Sequence, residues 1–457
     1  MSERFDAVVV GAGQAGPALA ARLDREGLKT ALIERKSLGG TCVNNGCIPT
    51  KTLVASARAI HMARRGGEYG FAAGEVRVDM KAVKARKDGV VKQSVDGLAS
   101  WIGGMKNVTL IRGQAKFTGP RTLAVGGRVL QADRIFLNVG GRASVPDLPG
   151  LKDVPFLDNN SIMALDQVPE HLVIVGGSYI GLEFAQMYRR FGAQVSVVEL
   201  APKLLPREDD DVAAEIRAIL EREGIEIHVA ASDLSFSRLH GSISVDFRIK
   251  ESRTQLVGSH VLLAAGRLPN THDLGLKEAG IEADARGFIK VDDQCRTSAE
   301  GVWALGDCNG RGAFTHTSWN DYEIVAANLF DNDARRIPDR ISCYALFIDP
   351  PLGRVGMNLD EAKKSGRKLL TGKMLMTRVG RAREMGETQG FMKVIVDAES
   401  QELLGAAILG LSGDEVVHSL LDVMYAKKPY TTISRAVHIH PTVTELVPTL
   451  LQALKPA

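Results

Sequence analysis

"FDAVVVGAGQAGPALAARLDREGLKTALIE", residues 5–34, decides the fold. Its first six residues form a short apolar run that stops at glycine, the pattern of a buried strand. GAGQAG follows, with Gly11, Gly13 and Gly16 in the spacing G-x-G-x-x-G. The next stretch is apolar at helical period and ends at Gly27, and a second strand ends at Glu34. The glycines permit a tight turn and close approach of a pyrophosphate, and the helix start offers free N–H groups and a positive dipole end. Glu34 is placed to accept hydrogen bonds from ribose hydroxyls. A lone G-x-G-x-x-G also occurs in ordinary glycine-rich turns. Strand, turn, helix, strand and acid in this order specify a dinucleotide-binding α/β unit.

The plan occurs twice. "HLVIVGGSYIGLEFAQMYRRFGAQVSVVE", residues 171–199, has Gly176, Gly177 and Gly181 in the turn and closes on Glu199. Glu34 follows Gly11 by 23 positions, and Glu199 follows Gly176 by the same 23. Ser178 stands where the middle glycine is usual, and a serine is small enough to be tolerated there. Two such units imply two dinucleotides, one handing electrons to the other. Further on, "VLLAAGRLPNT" is a strand that turns at Gly266, and "GVWALGDC" is a strand that ends at Gly306 and Asp307. From about residue 341 the texture changes. "KVIVDAESQELLGAAILG" reads as an antiparallel hairpin and "DEVVHSLLDVMYA" as a helix. The expected fold class is α/β, two Rossmann-like domains followed by a C-terminal α+β domain. The expected division is 1–150 for the first nucleotide-binding domain, 151–270 for the second, 271–340 for a return to the first, and 341–457 for the C-terminal domain.

Composition narrows the function. The chain has 457 residues, 45% hydrophobic and 24% charged, enough for several packed domains. A net charge of +3 with no basic block gives no support to nucleic acid or an anionic membrane as partner. No basic start leads into a long apolar stretch, and no window approaches the roughly 18 apolar residues of a membrane span. Five cysteines do not make a disulfide scaffold, and a cytoplasmic enzyme is expected.

Two of the five cysteines sit in "GGTCVNNGCIPTK", residues 39–51. A metal site needs about four ligands, and Cys42 and Cys47 have no second pair, since Cys295, Cys308 and Cys343 are isolated. A structural disulfide over so short a loop constrains little and is unexpected in the cytoplasm. A redox pair fits better. It follows the first nucleotide unit directly, and Cys47 begins a helix, whose dipole favours thiolate. Lys51, one turn on, adds positive charge. Near the C-terminus, "HIHPTVTE" places His440 five residues before Glu445. A carboxylate on one imidazole nitrogen fixes the tautomer and leaves the other to move protons.

Together these motifs resemble the class I pyridine nucleotide–disulfide oxidoreductases, which include glutathione reductase, dihydrolipoamide dehydrogenase and mercuric reductase. The resemblance runs from residue 5 to about 450. It implies FAD in the first unit, NADH or NADPH in the second, and a homodimer with an active site shared between subunits. By position, Gly11, Gly13, Gly16, Glu34, Gly40, Thr41, Gly306 and Asp307 resemble the FAD site. Gly176, Gly177, Gly181, Glu199 and Gly266 resemble the nicotinamide dinucleotide site. The resemblance assigns Cys47 to face the flavin and Cys42 to meet the substrate. It pairs Lys51 with Glu183 beside the flavin, sets Tyr179 over the flavin where nicotinamide enters, and makes His440 and Glu445 the dyad that serves the other subunit.

The wording, including "ALFIDPPLGRVG", is closest to mercuric-reductase-like members. Yet "TLLQALKPA" closes the sequence without the vicinal cysteines of true mercuric reductases, and a His-Pro-Thr segment suits thiol chemistry better. The expected function is passage of electrons from NAD(P)H through FAD and a Cys42–Cys47 disulfide to a small or protein-bound disulfide. Dihydrolipoamide dehydrogenase activity, or reduction of metal ions or oxidants, is the alternative; a flavin-binding redox sensor with little turnover is a further one. Glu199 is expected to favour NADH by repelling the 2′-phosphate of NADP, and its removal is expected to improve NADPH.

Overall fold

A computed structural model describes residues 2–457. The chain divides into two compact units. The first comprises the residues up to Thr52, Ala82–Val145 and Ala265–Arg340; the second comprises Leu53–Lys81, Pro146–Ala264 and Ile341–Ala457.

The chain begins with β1 (Glu3–Val10), α1 (Ala15–Arg25), β2 (Thr30–Glu34), α2 (Gly40–Asn45), α3 (Cys47–Arg64) and α4 (Met80–Gly103). Strands β3 (Val108–Arg112), β4 (Ala115–Gly119), β5 (Thr122–Val125), β6 (Arg128–Leu137) and β7 (Gly141–Ala143) follow. In the first unit the sheet order is β3-β2-β1-β6-β5-β4. β1 pairs in parallel with both β2 and β6. Every residue of β2 is buried, as expected of a strand covered on both faces. Alternation along β1 feeds two cores. Val8 and Val10 pack with Ile33, Leu123 and Ile135, whereas Ala7 and Val9 pack with Leu19, Leu23 and Phe136. The Ala- and Leu-rich sequence of α1 lets it lie close on that second face.

The second unit holds β8 (His171–Val175), α5 (Tyr179–Phe191), β9 (Gln194–Val198), α6 (Asp210–Arg222) and β10 (Glu226–His228). An antiparallel meander of β11 (Ala231–Leu239), β12 (Ser242–Ile249) and β13 (Ser252–Gly258) leads to β14 (His260–Leu263). The parallel order is β10-β9-β8-β14. The chain then returns to the first unit, where β15 (Arg267–Pro269) pairs with β7 and β16 (Val302–Ala304) pairs in parallel with β6. Helix α7 (Thr315–Ala326) closes this return.

Strands β17 (Cys343–Leu346), β18 (Leu352–Gly356), β19 (Leu369–Leu375), β20 (Phe391–Asp397), β21 (Leu403–Leu409) and β22 (Lys455–Pro456) form an antiparallel sheet ordered β17-β18-β21-β20-β19-β22. The hairpin read from "KVIVDAESQELLGAAILG" is β20–β21, in register from Phe391↔Leu409. The helix read from "DEVVHSLLDVMYA" is Gly413–Tyr425, packed on β18 and β21. The mixed α/β class is as expected. Among the described residues no helix is long and apolar enough to cross a membrane.

Candidate active site

The two glycine turns have the same construction. Gly11 has φ +105° and Gly176 has φ +116°, a region that disfavours side chains. A Cβ on Gly11 would lie 2.2 Å from the Asn138 carbonyl oxygen, and one on Gly176 would lie 2.5 Å from that of Ala264. A Cβ on Gly16 would lie 2.0 Å from the Gly11 carbonyl oxygen, and one on Gly181 would lie 2.0 Å from that of Gly176. Each helix therefore starts hard against its own turn, and only glycine fits. Ser178 is at φ −104°, ψ −173°, an extended conformation open to any residue, which is why serine is accepted at the middle position.

The acids that end β2 and β9 also correspond, and the structure adds to their expected role. Glu34 accepts the Ala12 N–H on Oε2 at 2.9 Å and the Lys36 N–H on Oε1 at 2.7 Å. Glu199 accepts the Gly177 N–H on Oε2 at 2.6 Å and the Ala201 N–H on Oε1 at 2.7 Å. Each carboxylate clamps its glycine turn to the segment after the strand. Each oxygen keeps a further lone pair for a ribose hydroxyl.

The first turn is a cradle that fits FAD. Helix α1 has no acid in its first turn and no side chain at its N-cap that caps it, which leaves the positive end of its dipole available to a phosphate. A Cβ on Gly40 would come 2.9 Å from Gly13 Cα, so two glycines leave backbone facing backbone beside the turn. Thr41 is the second residue of α2. Asp307 follows Gly306, whose N–H donates to Asp321 Oδ2 at 2.8 Å. Burial raises the Asp307 carboxyl above the usual carboxylate range, against the pull of Arg267, whose Nη2 is 3.5 Å away. Gly266, at φ +102°, has no heavy atom within 4 Å of where its Cβ would stand.

The cysteines straddle a helix break. Cys42 lies inside α2 and Cys47 is the first residue of α3. Gly46 between them has φ −138°, ψ −117°, and a Cβ there would lie 2.8 Å from the Thr41 carbonyl oxygen. The loop is pinned by Asn44, whose Nδ2 donates to the Leu38 and Gly40 carbonyls at 2.8 and 2.9 Å. The two cysteines are not joined in a disulfide; Cys47 is exposed and Cys42 half-buried. The hydrogen bond with Cys47 raises the Cys42 thiol most, followed by burial and the charge of Cys47. Deprotonation of Cys42 is therefore disfavoured next to its neighbour. Cys47 Sγ lies 3.1 Å from Thr315 Oγ1, at the start of α7. Lys51 follows one turn into α3.

In the second unit, Glu183 is buried in α5 and its Oε1 accepts the Phe347 N–H at 3.0 Å. Tyr179 opens α5, and its hydroxyl donates to Glu208 Oε1 at 3.1 Å. His440 Nδ1 lies 3.0 Å from Glu445 Oε2, and the peptide from His440 to Pro441 is cis. The imidazole is 78% exposed and the carboxylate 15%, so the acid holds the ring outward. Val437 and Ile439 beside it are 100% and 81% exposed, as apolar residues at an interface are before a partner covers them. Among the described residues no group of three or more His, Cys, Asp or Glu is placed to hold a metal ion.

Sequence reasoning missed Asn138 and Thr315. Asn138 Oδ1 accepts the Gly16 N–H at 3.1 Å, while its Nδ2 donates to the Leu305 carbonyl at 3.0 Å and to Ser318 Oγ at 3.3 Å. A polar residue closing the apolar run "RIFLN" was the available signal. Thr315 lies 268 positions from Cys47, and no local signal marks it.

Residues 5–321 match the family described as pyridine nucleotide-disulphide oxidoreductase, and residues 342–451 match its dimerisation domain. The probable pyridine nucleotide-disulfide oxidoreductase RclA of Escherichia coli K12 is 35% identical over 99% of this chain and 100% of its own. A dihydrolipoyl dehydrogenase of Thermus scotoductus is 32% identical over 96% of this chain and 95% of its own. The solved structure of the HOCl-induced flavoprotein disulfide reductase RclA from Escherichia coli matches with a TM-score of 0.90 at 35% identity, covering 99% of this chain and 100% of that one. Its Cu(II) complex matches with a TM-score of 0.90 at 35% identity, over 98% of this chain and 99% of that one.

Proposed function

The chain belongs to the pyridine nucleotide-disulphide oxidoreductase family, FAD-dependent enzymes that link a pyridine nucleotide to a disulfide, and from that premise we propose that Cys42 and Cys47 are its redox pair and that a small or protein-bound disulfide is its substrate. The observation that carries this reading is the asymmetry of the two thiols. The exposed Cys47 heads a helix beside a hydroxyl, whereas Cys42 is half-buried and its thiol is raised by the hydrogen bond with Cys47 and by burial.

Bound FAD supplies the two-electron step between nicotinamide and dithiol. Gly11, Gly13, Gly16, Gly40, Thr41 and Glu34 hold its pyrophosphate and adenosine, and Asp307 holds its hydroxyl chain. Gly176, Gly177, Gly181, Glu199 and Gly266 hold the nicotinamide dinucleotide. Lys51 and Glu183 act beside the flavin ring, and Tyr179 covers the place where nicotinamide enters. His440, serving the other subunit of a homodimer, takes the Cys42 proton. The Cys42 thiolate attacks one substrate sulfur, and the departing thiolate recovers that proton from His440. The Cys47 thiolate then attacks the Cys42 sulfur, closes the Cys42–Cys47 disulfide and expels the second product as a thiolate, which takes a proton from solvent. Glu445 holds the imidazole throughout.

NADH is the proposed donor. Glu199 stands at the ribose end of the turn, and the first lysine after it in sequence, Lys203, is held by Asp210 Oδ1 at 2.6 Å and the Glu208 carbonyl at 2.7 Å. The compartment is the cytoplasm, where a cycling dithiol is kept reduced. A second reading, reduction of Cu(II) at the same dithiol, is favoured by the Cu(II) complex of the RclA relative. The test is steady-state turnover with NADH against glutathione disulfide, lipoamide, other small disulfides, Cu(II) and Hg(II). Disulfide turnover abolished by Cys42→Ser supports the first reading. Metal turnover alone, surviving in His440→Ala, supports the second. No turnover of either kind leaves the redox-sensor alternative.

A further inference from the structure

The second unit contains a buried carboxylate that the reaction above does not use. Glu208 precedes α6, and its side chain is 0% exposed. Oε1 accepts two phenolic hydroxyls, Tyr179 at 3.1 Å and Tyr344 at 2.6 Å. The two rings meet edge to face, with centroids 5.5 Å apart at 79°. Beneath them, Arg354, 2% exposed, has Nη1 3.7 Å from Glu208 Oε2 and 3.1 Å from Asp209 Oδ2. Lys393 Nζ reaches Asp209 at 3.3 Å. A buried carboxylate is costly unless partners hold it, and here two phenols donate to it and a guanidinium lies beneath. Burial and the charge of Glu208 push both tyrosines up, so both remain hydrogen-bond donors.

We propose that Glu208 and Tyr344 are positioning residues that latch the Tyr179 ring in its closed orientation, so that the nicotinamide must break the Tyr179–Glu208 hydrogen bond to enter. The inference rests on the reading that Tyr179 covers the nicotinamide's place. Tyr179 is the first residue of α5, one residue after Ser178, so its backbone lies at the glycine turn where the dinucleotide would bind. The closed state is held in part by a charge-assisted hydrogen bond to Glu208 and an edge-to-face contact with Tyr344. Nucleotide affinity is reduced by the cost of opening.

The test is calorimetric binding of NAD⁺ to the oxidised, FAD-loaded enzyme, with melting temperatures measured alongside. Tyr179→Phe keeps the ring and removes the latch, and NAD⁺ should bind about tenfold more tightly, the scale of one hydrogen bond to a charged group. Glu208→Gln should tighten binding in the same direction. In a double-mutant cycle, Glu208→Gln should add nothing to Tyr179→Phe. If Glu208→Gln does not fold, Tyr344→Phe takes its place: it should change the NAD⁺ Kd at least threefold in the wild type and not in the Tyr179→Phe background. Unchanged NAD⁺ affinity in Tyr179→Phe, or additive effects in the cycle, would overturn the latch and leave the cluster a structural tie, which alters melting temperature only. Tyr179→Ala separates the two levels. If it changes NAD⁺ affinity while Tyr179→Phe does not, the latch alone fails. If it too binds NAD⁺ as the wild type does, Tyr179 does not cover the nicotinamide's place, and both fail.

Discussion

Glu199 offers the sharpest test of the second nucleotide turn. The sequence-level expectation is that Glu199→Ala improves NADPH by removing a charge that repels the 2′-phosphate. The structure moves the weight elsewhere, because both carboxylate oxygens already hold backbone N–H groups at 2.6 and 2.7 Å. Hydrogen bonds to a charged acceptor are worth about 1.5–3 kcal/mol each. Glu199 is only half-buried, so the low end applies, about 3 kcal/mol for the two together. At about 1.4 kcal/mol per tenfold, loosening the turn weakens dinucleotide binding by about 100-fold. NADPH should lose less than NADH, since its 2′-phosphate, about −1.5 to −2 in charge, no longer faces a carboxylate. The Glu199→Ala enzyme should therefore narrow the NADH-to-NADPH ratio by losing NADH, not by gaining NADPH. Stopped-flow reduction over a range of each nucleotide gives the two Kd values, and a melting curve checks that the fold is intact. An absolute gain with NADPH and an unchanged NADH Kd would refute the argument that the carboxylate holds the turn.

The other expectations concern the first turn and the thiols. Cys47→Ser should abolish the long-wavelength absorbance of a thiolate beside the flavin, whereas Cys42→Ser should retain it without added reductant and lose disulfide turnover; identical spectra would reverse or void the two assignments. His440→Ala should leave reduction by NADH near normal and slow disulfide turnover by roughly 100-fold or more. Its residual turnover should rise with pH, because the Cys42 thiol is held up and only a more basic solution can remove its proton. Mixing inactive Cys42→Ser with inactive His440→Ala should restore activity through dimers with one intact site, and failure after verified subunit exchange would place the site within one chain. Asn138→Ala removes three hydrogen bonds at a buried position, an expected loss of about 2–4 kcal/mol measured by denaturant unfolding with FAD retention followed on a sizing column; an unchanged midpoint would mean water replaces the amide.

What the sequence made legible was local. The spacing Gly11 to Glu34, repeated from Gly176 to Glu199, carries its own physics: a positive φ, a close approach and an acid at a strand end. Cys42 and Cys47 were legible because a helix start and a glycine break lie within the same dozen residues. The unread parts depend on distant segments meeting. Asn138 reaches Gly16 across 122 positions, and Glu208 meets Tyr344 across 136. Nothing in the wording around Thr315 announces that its hydroxyl stands against Cys47. The clamping of the turns by Glu34 and Glu199 was hidden for another reason: a motif records which residue occupies a position, not how many hydrogen bonds its two oxygens make.

Strand β6 has an implication for how the chain is made. One edge is shared by two partners: β5 takes Arg128 to Gln131, and β16 takes Ile135 to Leu137 in parallel. During synthesis, β1, β2, β3, β5 and β6 all leave the ribosome well before β16. Residues 135–137 then present an unpaired apolar edge until position 302 has been translated, through the whole span in which β8 to β14 can form. At about 5–20 residues per second, that interval is on the order of 10–30 s. The second nucleotide turn can thus be complete while the first still lacks a strand. In that window the nascent chain exposes the kind of open edge that pairs with other chains, and factors that shield nascent chains should matter more to the yield of this protein than its native packing would indicate.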